Sequence, residues 1–322
     1  MTLSEVSSWL REHDDYLIIT HRRPDGDTLG SAAALVRGLR AYGKNAYIFK
    51  NEETTSKYLG FVSPFWAPDG FDFSHVVSVD VASEGLFPRN SDNLLGRTDL
   101  AIDHHPSNTG YARLTYADGS KAACGEIIYD LLIDLNGDID DDTAAALYTA
   151  ISTDTGCFAF GNTTQNTFRC AALVAEKNIG LPELNRILFR TKSRGRLELE
   201  GTVMAGIKYY YGGRVAITTI PKALMDRTGC TEDDMDDIAA IPGAVEGVWC
   251  GITMRELSSE TDLKISVRSG SLFNSNEFCS KFGGGGHAMA SGASFQGITL
   301  DTLLGMLLEE LDKVFLPHGY SR

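Results

Sequence analysis

Short apolar strands that end in histidine or aspartate are the feature that most restricts the fold of this chain. The stretch YLIIT precedes His21, HVVSV precedes Asp80, and DLAI precedes the triplet Asp103-His104-His105. Helical stretches separate these strands, which predicts a parallel sheet covered by helices on both faces. Ligands bind beyond the carboxyl ends of the strands in such sheets. We therefore expect these polar side chains to meet at one edge.

The periodicity of apolar residues predicts two α/β domains. In the first, we expect strands at 16–20, 45–51, 75–81 and 99–104 and helices at 28–42, 121–135, 140–153, 164–178 and 182–190. The second has predicted strands at 214–220, 246–257 and 262–268 and an amphipathic helix at 299–316. An acidic run, 232–237, is typical of a solvated helix start. The expected boundaries are a first domain at 1–190, a helical linker at 191–211 and a smaller domain at 212–322.

Composition excludes several classes of protein. A hydrophobic content of 43% with 22% charged residues is typical of a globular protein, and the chain has neither a long apolar run nor a signal-peptide pattern at its start. The six scattered cysteines include no CxxC pair, so we expect free thiols and a cytoplasmic location. A net charge of −14 disfavours binding of a long duplex and favours a small phosphorylated substrate.

The polar residues at the strand and helix ends form a set suited to divalent metals. The candidate ligands are His21, Asp25, Asp27, Asp80, His104 and Asp154. Carboxylates with imidazoles and without thiolates favour manganese or magnesium over structural zinc, and two such metals can activate water for cleavage of a phosphate ester. Each cluster alone has a structural alternative, namely a polar turn around Gly26, a helix cap at Asp80 and an exposed helix end at Asp154. Their combination favours the metal site.

In this order the motifs resemble those of the DHH phosphoesterase superfamily. The later segment FGGGGH, residues 282–287, resembles the glycine-rich signature of the DHHA1 domain. Length and domain pairing are most similar to the bacterial nanoRNase and pAp-phosphatase branch. The resemblance implies a DHH domain with a parallel sheet, a smaller α/β DHHA1 domain and an active site in the cleft between them.

The resemblance also assigns ligands to two metal ions. It implies one ion held by His21, Asp25 and Asp80, and another held by Asp27, Asp80, His104 and Asp154, so that Asp80 bridges them. The implied cofactor is two Mn²⁺ ions, with Mg²⁺ or Co²⁺ as alternatives, and the nucleophile is a hydroxide between them.

The implied catalytic residues, besides Asp80, are His105 and Asp103. Adjacent histidines in a strand point to opposite faces, so His104 and His105 are expected to have different functions. The resemblance places His105 at the substrate phosphate. Asp103 would orient a histidine.

The resemblance places the substrate phosphate in the second domain. Arg268 and His287 would bind it beside the backbone of Gly284, Gly285 and Gly286, because successive amide groups form an anion-binding nest. Met289 is larger and more apolar than the residue expected at its position, so the floor of the substrate pocket is predicted to differ.

The implied function is manganese-dependent hydrolysis of dinucleotides to about pentanucleotides into mononucleotides, removal of the 3′-phosphate of pAp, or both. The expected partners are short single-stranded RNA or a nucleotide bisphosphate, without a long duplex or a membrane, and a homodimer is compatible with the resemblance. Alternatives are a phosphodiesterase for cyclic or linear dinucleotides and a nucleotide-binding regulatory module without catalysis. A manganese pyrophosphatase and a RecJ-type exonuclease fit the sequence less well.

Overall fold

The chain forms two compact units, which a computed structural model describes over residues 1–231 and 234–322. The units are Met1–Thr191 and Lys192–Arg322. Residues 232 and 233, which begin the acidic run, lie outside the described residues. Of the helices in the described ranges, none combines the length and the apolar character that crossing a membrane requires.

The first unit is built on a five-stranded sheet in which all neighbouring strands are parallel. In the order of the sheet, the strands are β2 (Ala46–Ile48), β1 (Tyr16–Ile19), β3 (His75–Val79), β4 (Thr98–Asp103) and β5 (Leu114–Ala117). The predicted parallel sheet is therefore confirmed. The edge strand β5 was not predicted, because its four residues (LTYA) lie only partly buried and show no run of apolar residues.

Helices cover this sheet and complete its core. They are α1 (Leu3–Glu12), α2 (Gly26–Ala41), α3 (Ser56–Val62), α4 (Cys124–Asn136), α5 (Asp141–Asp154), α6 (Gln165–Ala175) and α7 (Leu181–Asn185), followed by a π-helical turn at Arg186–Arg190. Small residues let α2 and α5 approach closely. A Cβ on Gly30 would lie only 2.5 Å from the carbonyl oxygen of Ala146, so a larger residue would push these helices apart.

The second unit has a six-stranded sheet of mixed direction. In the order of the sheet, the strands are β10 (Gly285–His287), β11 (Ala290–Gln296), β9 (Asp262–Ser269), β8 (Cys250–Glu256), β7 (Val215–Ile220) and β6 (Lys208–Tyr210). Strands β7 and β8 are parallel, and the other neighbours are antiparallel. The helices are α8 (Arg194–Ala205), α9 (Lys222–Thr228), α10 (Met235–Ile238), α11 (Ser275–Ser280) and α12 (Leu300–Phe315).

The amphipathic character of α12 explains its place in this unit. Leu303, Leu307 and Leu311 are fully buried and share a hydrophobic core with Ile252 of β8 and Ile265 of β9. Apolar residues spaced three and four apart form one face of a helix, and burial of that face is what attaches α12 to the second unit.

Residues 191–211 were expected to form a helical linker, and the structure divides them between helix α8 and strand β6. Helix α8 buries Leu199 and Val203 in a cluster with Ile220 and Leu224, and β6 pairs with β7. Both elements therefore belong to the second unit. The apolar side chains of α8 are too few to form a stripe in the sequence, so their burial depends on the apolar partners that α9 and β7 supply.

Candidate active site

Three neighbouring strands bring histidine and aspartate side chains to one edge of the first sheet. His21 follows β1, Asp80 follows β3 and His104 follows β4, and these strands are adjacent. His21 Nε2 lies 3.8 Å from Asp80 Oδ2, and His104 Nε2 lies 3.4 Å from Asp80 Oδ1. Asp80 therefore stands between the two imidazoles.

The start of α2 adds two more carboxylates. Asp25 caps the helix, because its Oδ1 accepts hydrogen bonds from the amides of Asp27 (3.0 Å) and Thr28 (3.1 Å), and the same oxygen lies 3.6 Å from His21 Nε2. Gly26 is required between the aspartates, since a Cβ there would lie 2.3 Å from the Thr153 hydroxyl oxygen. The close contact of α2 with α5 thus places both aspartates.

Asp154, at the end of α5, completes the cluster. Its Oδ2 lies 3.7 Å from His104 Nε2, which is also 3.7 Å from Asp27 Oδ2. Within each of two groups of three residues, the ligand atoms lie within 4.8 Å of one another. One group is His21, Asp25 and Asp80, and the other is Asp27, His104 and Asp154. A third group contains Asp80, His104 and His105.

Asp80 has the features of a residue that needs a cation. Its side chain is only 3% exposed, and among the described residues its Oδ1 has no hydrogen-bond partner. Its backbone has a φ of +60°, which is costly for a residue with a side chain. A buried carboxylate oxygen without a donor is unfavourable unless a positive charge lies beside it. The donor set of carboxylates and imidazoles fits a hard divalent metal.

Burial and mutual repulsion perturb the acidity of this cluster. Burial, then the charges of Asp27 and Asp25, hold the pKa of Asp80 well above its usual range. Burial and the charge of Asp154 raise the pKa of Asp27 to about 7, and burial raises the pKa of Asp154. Burial opposes protonation of His21, but Asp25 and Asp80 outweigh it and raise its pKa to about 9. Bound cations would relieve this repulsion.

Asp103 and His105 form a separate hydrogen-bonded pair. His105 Nδ1 donates to Asp103 Oδ1 at 2.7 Å, and Asn108 donates to Asp103 Oδ2 at 2.6 Å. Although Asp103 is buried, these two donors hold its carboxyl pKa below the usual value. Asp103 thus fixes the ring of His105. Because Nδ1 of His105 is bound to Asp103, Nε2 is the ring nitrogen that remains available to a ligand or substrate.

In the second unit, Arg268 and His287 lie in one row across three strands. Arg268 of β9 pairs with Ala290 of β11, which pairs with His287 of β10. Directly paired residues project from the same face of an antiparallel sheet. The two side chains therefore flank the small Ala290, roughly 10 Å apart at two strand spacings.

The glycines before His287 allow β10 to lie against β11. A Cβ on Gly284 would lie 2.2 Å from the carbonyl oxygen of Gly292, and one on Gly286, with a φ of +146°, would lie 2.6 Å from that of Ala290. Met289 occupies the turn after β10 and is 58% exposed. Its side chain therefore lies at the tip of the hairpin, and its effect on the substrate pocket stays a prediction.

Comparison with known proteins identifies the family. Residues 15–151 match the DHH family, N-terminal domain. The chain is 32% identical to a bifunctional oligoribonuclease and PAP phosphatase NrnA of Thermus thermophilus, and the match covers 94% of this chain and 91% of that relative. It is 27% identical to the protein of the same name from Bacillus subtilis, over 90% and 92% of the two chains. The chain belongs to the DHH family. Within it, the chain belongs to the nanoRNase branch that these relatives represent, so the resemblance in the sequence is confirmed.

Solved structures agree with the DHH fold. An exopolyphosphatase-related protein from Bacteroides fragilis superposes with a TM-score of 0.83 at 22% identity, over 97% of each chain. The exonuclease RecJ bound to manganese superposes with a TM-score of 0.54 at 14% identity, over 98% of this chain and 94% of that one. At these identities the likeness supports the fold alone.

Two groups at this DHH site were not predicted from the sequence. Asn108 binds Asp103, and the carbonyl oxygen of Lys121 lies 3.2 Å from His104 Nδ1, which turns Nε2 toward the carboxylates. An asparagine five residues after the aspartate was a weak signal that sequence reading could have used. A backbone carbonyl leaves no such signal, because any residue supplies one.

Proposed function

We propose that this DHH-family chain is a metal-dependent phosphoesterase that hydrolyses short oligoribonucleotides to mononucleotides and removes the 3′-phosphate of pAp. The names of the relatives that cover most of the chain support this substrate class. The observation that carries the proposal is the convergence of five other candidate ligands on the buried Asp80, whose Oδ1 has no hydrogen-bond partner among the described residues. His104 Nε2 and His105 Nδ1 lie 3.4 Å and 3.5 Å from that oxygen without forming a hydrogen bond, whereas buried carboxylates in structural networks are generally hydrogen-bonded.

The proposed cofactor is a pair of Mn²⁺ ions. His21 and Asp25 would hold one ion, Asp27, His104 and Asp154 would hold the other, and Asp80 would contact both. When bound, such ions polarise the phosphoryl group and activate the attacking water. The carboxylates would be ionised in this state, because a divalent cation favours the charged form of its ligands.

His105 and Asp103 would serve the leaving group. The hydrogen bond to Asp103 occupies Nδ1 and leaves Nε2 of the half-exposed His105 ring for the substrate. We assign to His105 the donation of a proton from Nε2 to the sugar oxygen that departs from phosphorus. The ionised Asp103 stabilises the positively charged ring before that transfer.

Arg268 and His287 would bind the terminal phosphate of the substrate. A guanidinium can grip a phosphate through two parallel hydrogen bonds, and the two side chains share one face of the second sheet. Binding of a chain end would limit the length of the substrate. The net charge of −14 supports a short substrate, since a long duplex requires many neutralising cations. We further propose a cytoplasmic location, which the free thiols of the six cysteines support.

The first test is Mn²⁺-dependent product release from 5′-phosphorylated diadenylate, with pAp and pyrophosphate assayed in parallel. We expect turnover of the dinucleotide and of pAp, and its loss on treatment with a chelator. Cleavage of pyrophosphate alone would contradict the role assigned to the second unit. Turnover of a cyclic dinucleotide alone would favour the alternative phosphodiesterase.

A further inference from the structure

A strained loop follows Asp154, the last candidate metal ligand of the first unit. Gly156, Cys157 and Phe158 have φ values of +55°, +56° and +67°. Three consecutive residues in the left-handed region, two of them with side chains, are unfavourable. Such a segment persists only where its surroundings hold it, and strain of this kind concentrates at functional sites.

Hydrogen bonds centred on Thr155 hold this loop in place. The buried hydroxyl of Thr155 accepts from the amide of Phe158 at 3.2 Å, and its carbonyl oxygen accepts from the amides of Ala159 (2.9 Å) and Phe160 (3.0 Å). The amide of Cys157 donates to the carbonyl oxygen of Ser152 at 2.7 Å. These hydrogen bonds fix the conformation of the loop, which begins directly after α5.

Asn162 ties the far end of the loop to the metal centre. Its side-chain nitrogen donates to the carbonyl oxygen of Asp154 at 3.1 Å and to that of Ala122 at 3.0 Å. Ala122 follows Lys121, whose carbonyl orients His104. Asn162 thus joins the far end of the loop to the candidate ligand Asp154 and to the segment that orients His104.

This strained loop presents an exposed aromatic ring. Phe160 is 58% exposed, although its ring lies against Gly156, where a Cβ would be 2.4 Å from it. Gly156 is two residues from Asp154, so their Cα atoms are at most about 7.6 Å apart. A strained loop that holds an apolar ring in solvent does not serve to bury that ring.

We propose that Phe160 is a stacking platform for a nucleobase of the nucleotide bound at the metal centre. The inference rests on the proposed function and adds a base-binding residue to it. Aromatic side chains stack on every base, since each base has a π-face, so Phe160 contributes affinity with little discrimination among bases. The rigid loop keeps the ring in place before the substrate arrives, which reduces the entropy lost on binding.

The test compares substrates with and without bases in the Mn²⁺-loaded enzyme. Phe160→Ala is expected to raise KM for 5′-phosphorylated diadenylate by about 5- to 100-fold and to leave KM for the abasic analogue unchanged. Phe160→Trp retains a stacking ring and is expected to restore a KM near that of the wild type. Tyr209→Ala is the matched control, because Tyr209 is 54% exposed on the edge strand β6.

Two outcomes would overturn the proposed stacking role of Phe160. One is an equal rise of KM on both substrates, which indicates a structural role of the loop, and the other is an unchanged KM for diadenylate. If the wild type hydrolyses neither diadenylate nor pAp, the proposed function fails. In that case, equilibrium binding of adenosine 5′-monophosphate to the Mn²⁺-loaded protein decides the inference, which requires weaker binding by Phe160→Ala and is overturned by equal binding.

Discussion

The two candidate sites of this chain are built in opposite ways. The first gathers carboxylates around the buried Asp80, whose backbone is strained and whose pKa is raised. The second places Arg268 and the exposed His287 on a row of paired strands. The buried site is unfavourable for the fold until a cation neutralises it, whereas strand pairing alone forms the exposed row. Variants at the first should therefore affect metal binding and stability together, and variants at the second should affect substrate affinity.

The largest expected effect is the loss of activity in Asp80→Asn. Removal of the charge that the proposed function places between the two metal ions should lower kcat/KM for diadenylate by about 10³-fold, since metal catalysis supplies several kcal/mol. Asp99→Asn is the control, because Asp99 lies at the other end of β4 and accepts from the amide of Val76 at 3.0 Å. Manganese-dependent turnover by Asp80→Asn near the wild-type rate would contradict the metal assignment.

Arg268→Ala should act on affinity. Loss of charge-assisted hydrogen bonds to a phosphate should raise KM by about 10- to 100-fold, with a smaller change in kcat and unchanged manganese binding. Lys264→Ala is the matched control, since Lys264 lies four residues earlier on β9 and on the same face. A fall in kcat at constant KM would remove the contrast between the two sites.

Gly286→Ala should destabilise the hairpin of β10 and β11. The new Cβ would lie 2.6 Å from the Ala290 carbonyl oxygen at a φ of +146°, which should lower the free energy of unfolding by roughly 1–3 kcal/mol. At Gly285 a Cβ would meet only the Asn276 side chain, at 3.8 Å, so Gly285→Ala is the comparison. Thermal unfolding of both variants measures the difference, and equal melting temperatures would contradict the close packing.

The smallest expected effect is the pH dependence of stability in the metal-free protein. A raised pKa in the fold gives stability that is present at low pH and is lost as pH rises. The stability linked to Asp27 is lost as pH rises from its usual pKa of 3.8 to its raised pKa of about 7. The stability linked to His21 is lost between its usual pKa of 6.5 and its raised pKa of about 9. The melting temperature should therefore fall between pH 5 and pH 8.5. Asp80→Asn should raise the melting temperature and make its fall with pH smaller. Excess Mn²⁺ should reverse the dependence of the melting temperature on pH.

A melting temperature of the chelated wild type that rises across this interval would contradict the described repulsion. It would indicate that the cluster is already neutralised by groups of the chain. The metal-free comparison with Asp80→Asn separates the two cases, because this substitution removes one charge without removing side-chain volume. Asparagine also tolerates the left-handed backbone at this position.

Local patterns predicted most of the first sheet but not the hairpin of the second. Strands β1, β3 and β4 are apolar and fall within one or two residues of the expected ranges. By contrast, β10 consists of Gly285, Gly286 and His287 and has no apolar side chain. It forms a strand because β11 supplies its hydrogen-bond partners, and that contact is absent from any local pattern.

The sequence by itself determined the parallel sheet and the list of candidate ligands, because strand ends and residue types are local properties. Only the tertiary structure decided the geometry among those residues. The contact of α2 with α5 places Asp27 and Asp154 on the same histidine. The left-handed backbone of Asp80 and the burial of its Oδ1 likewise depend on packing. Distances between residues far apart in sequence follow from packing, which local chemistry does not encode.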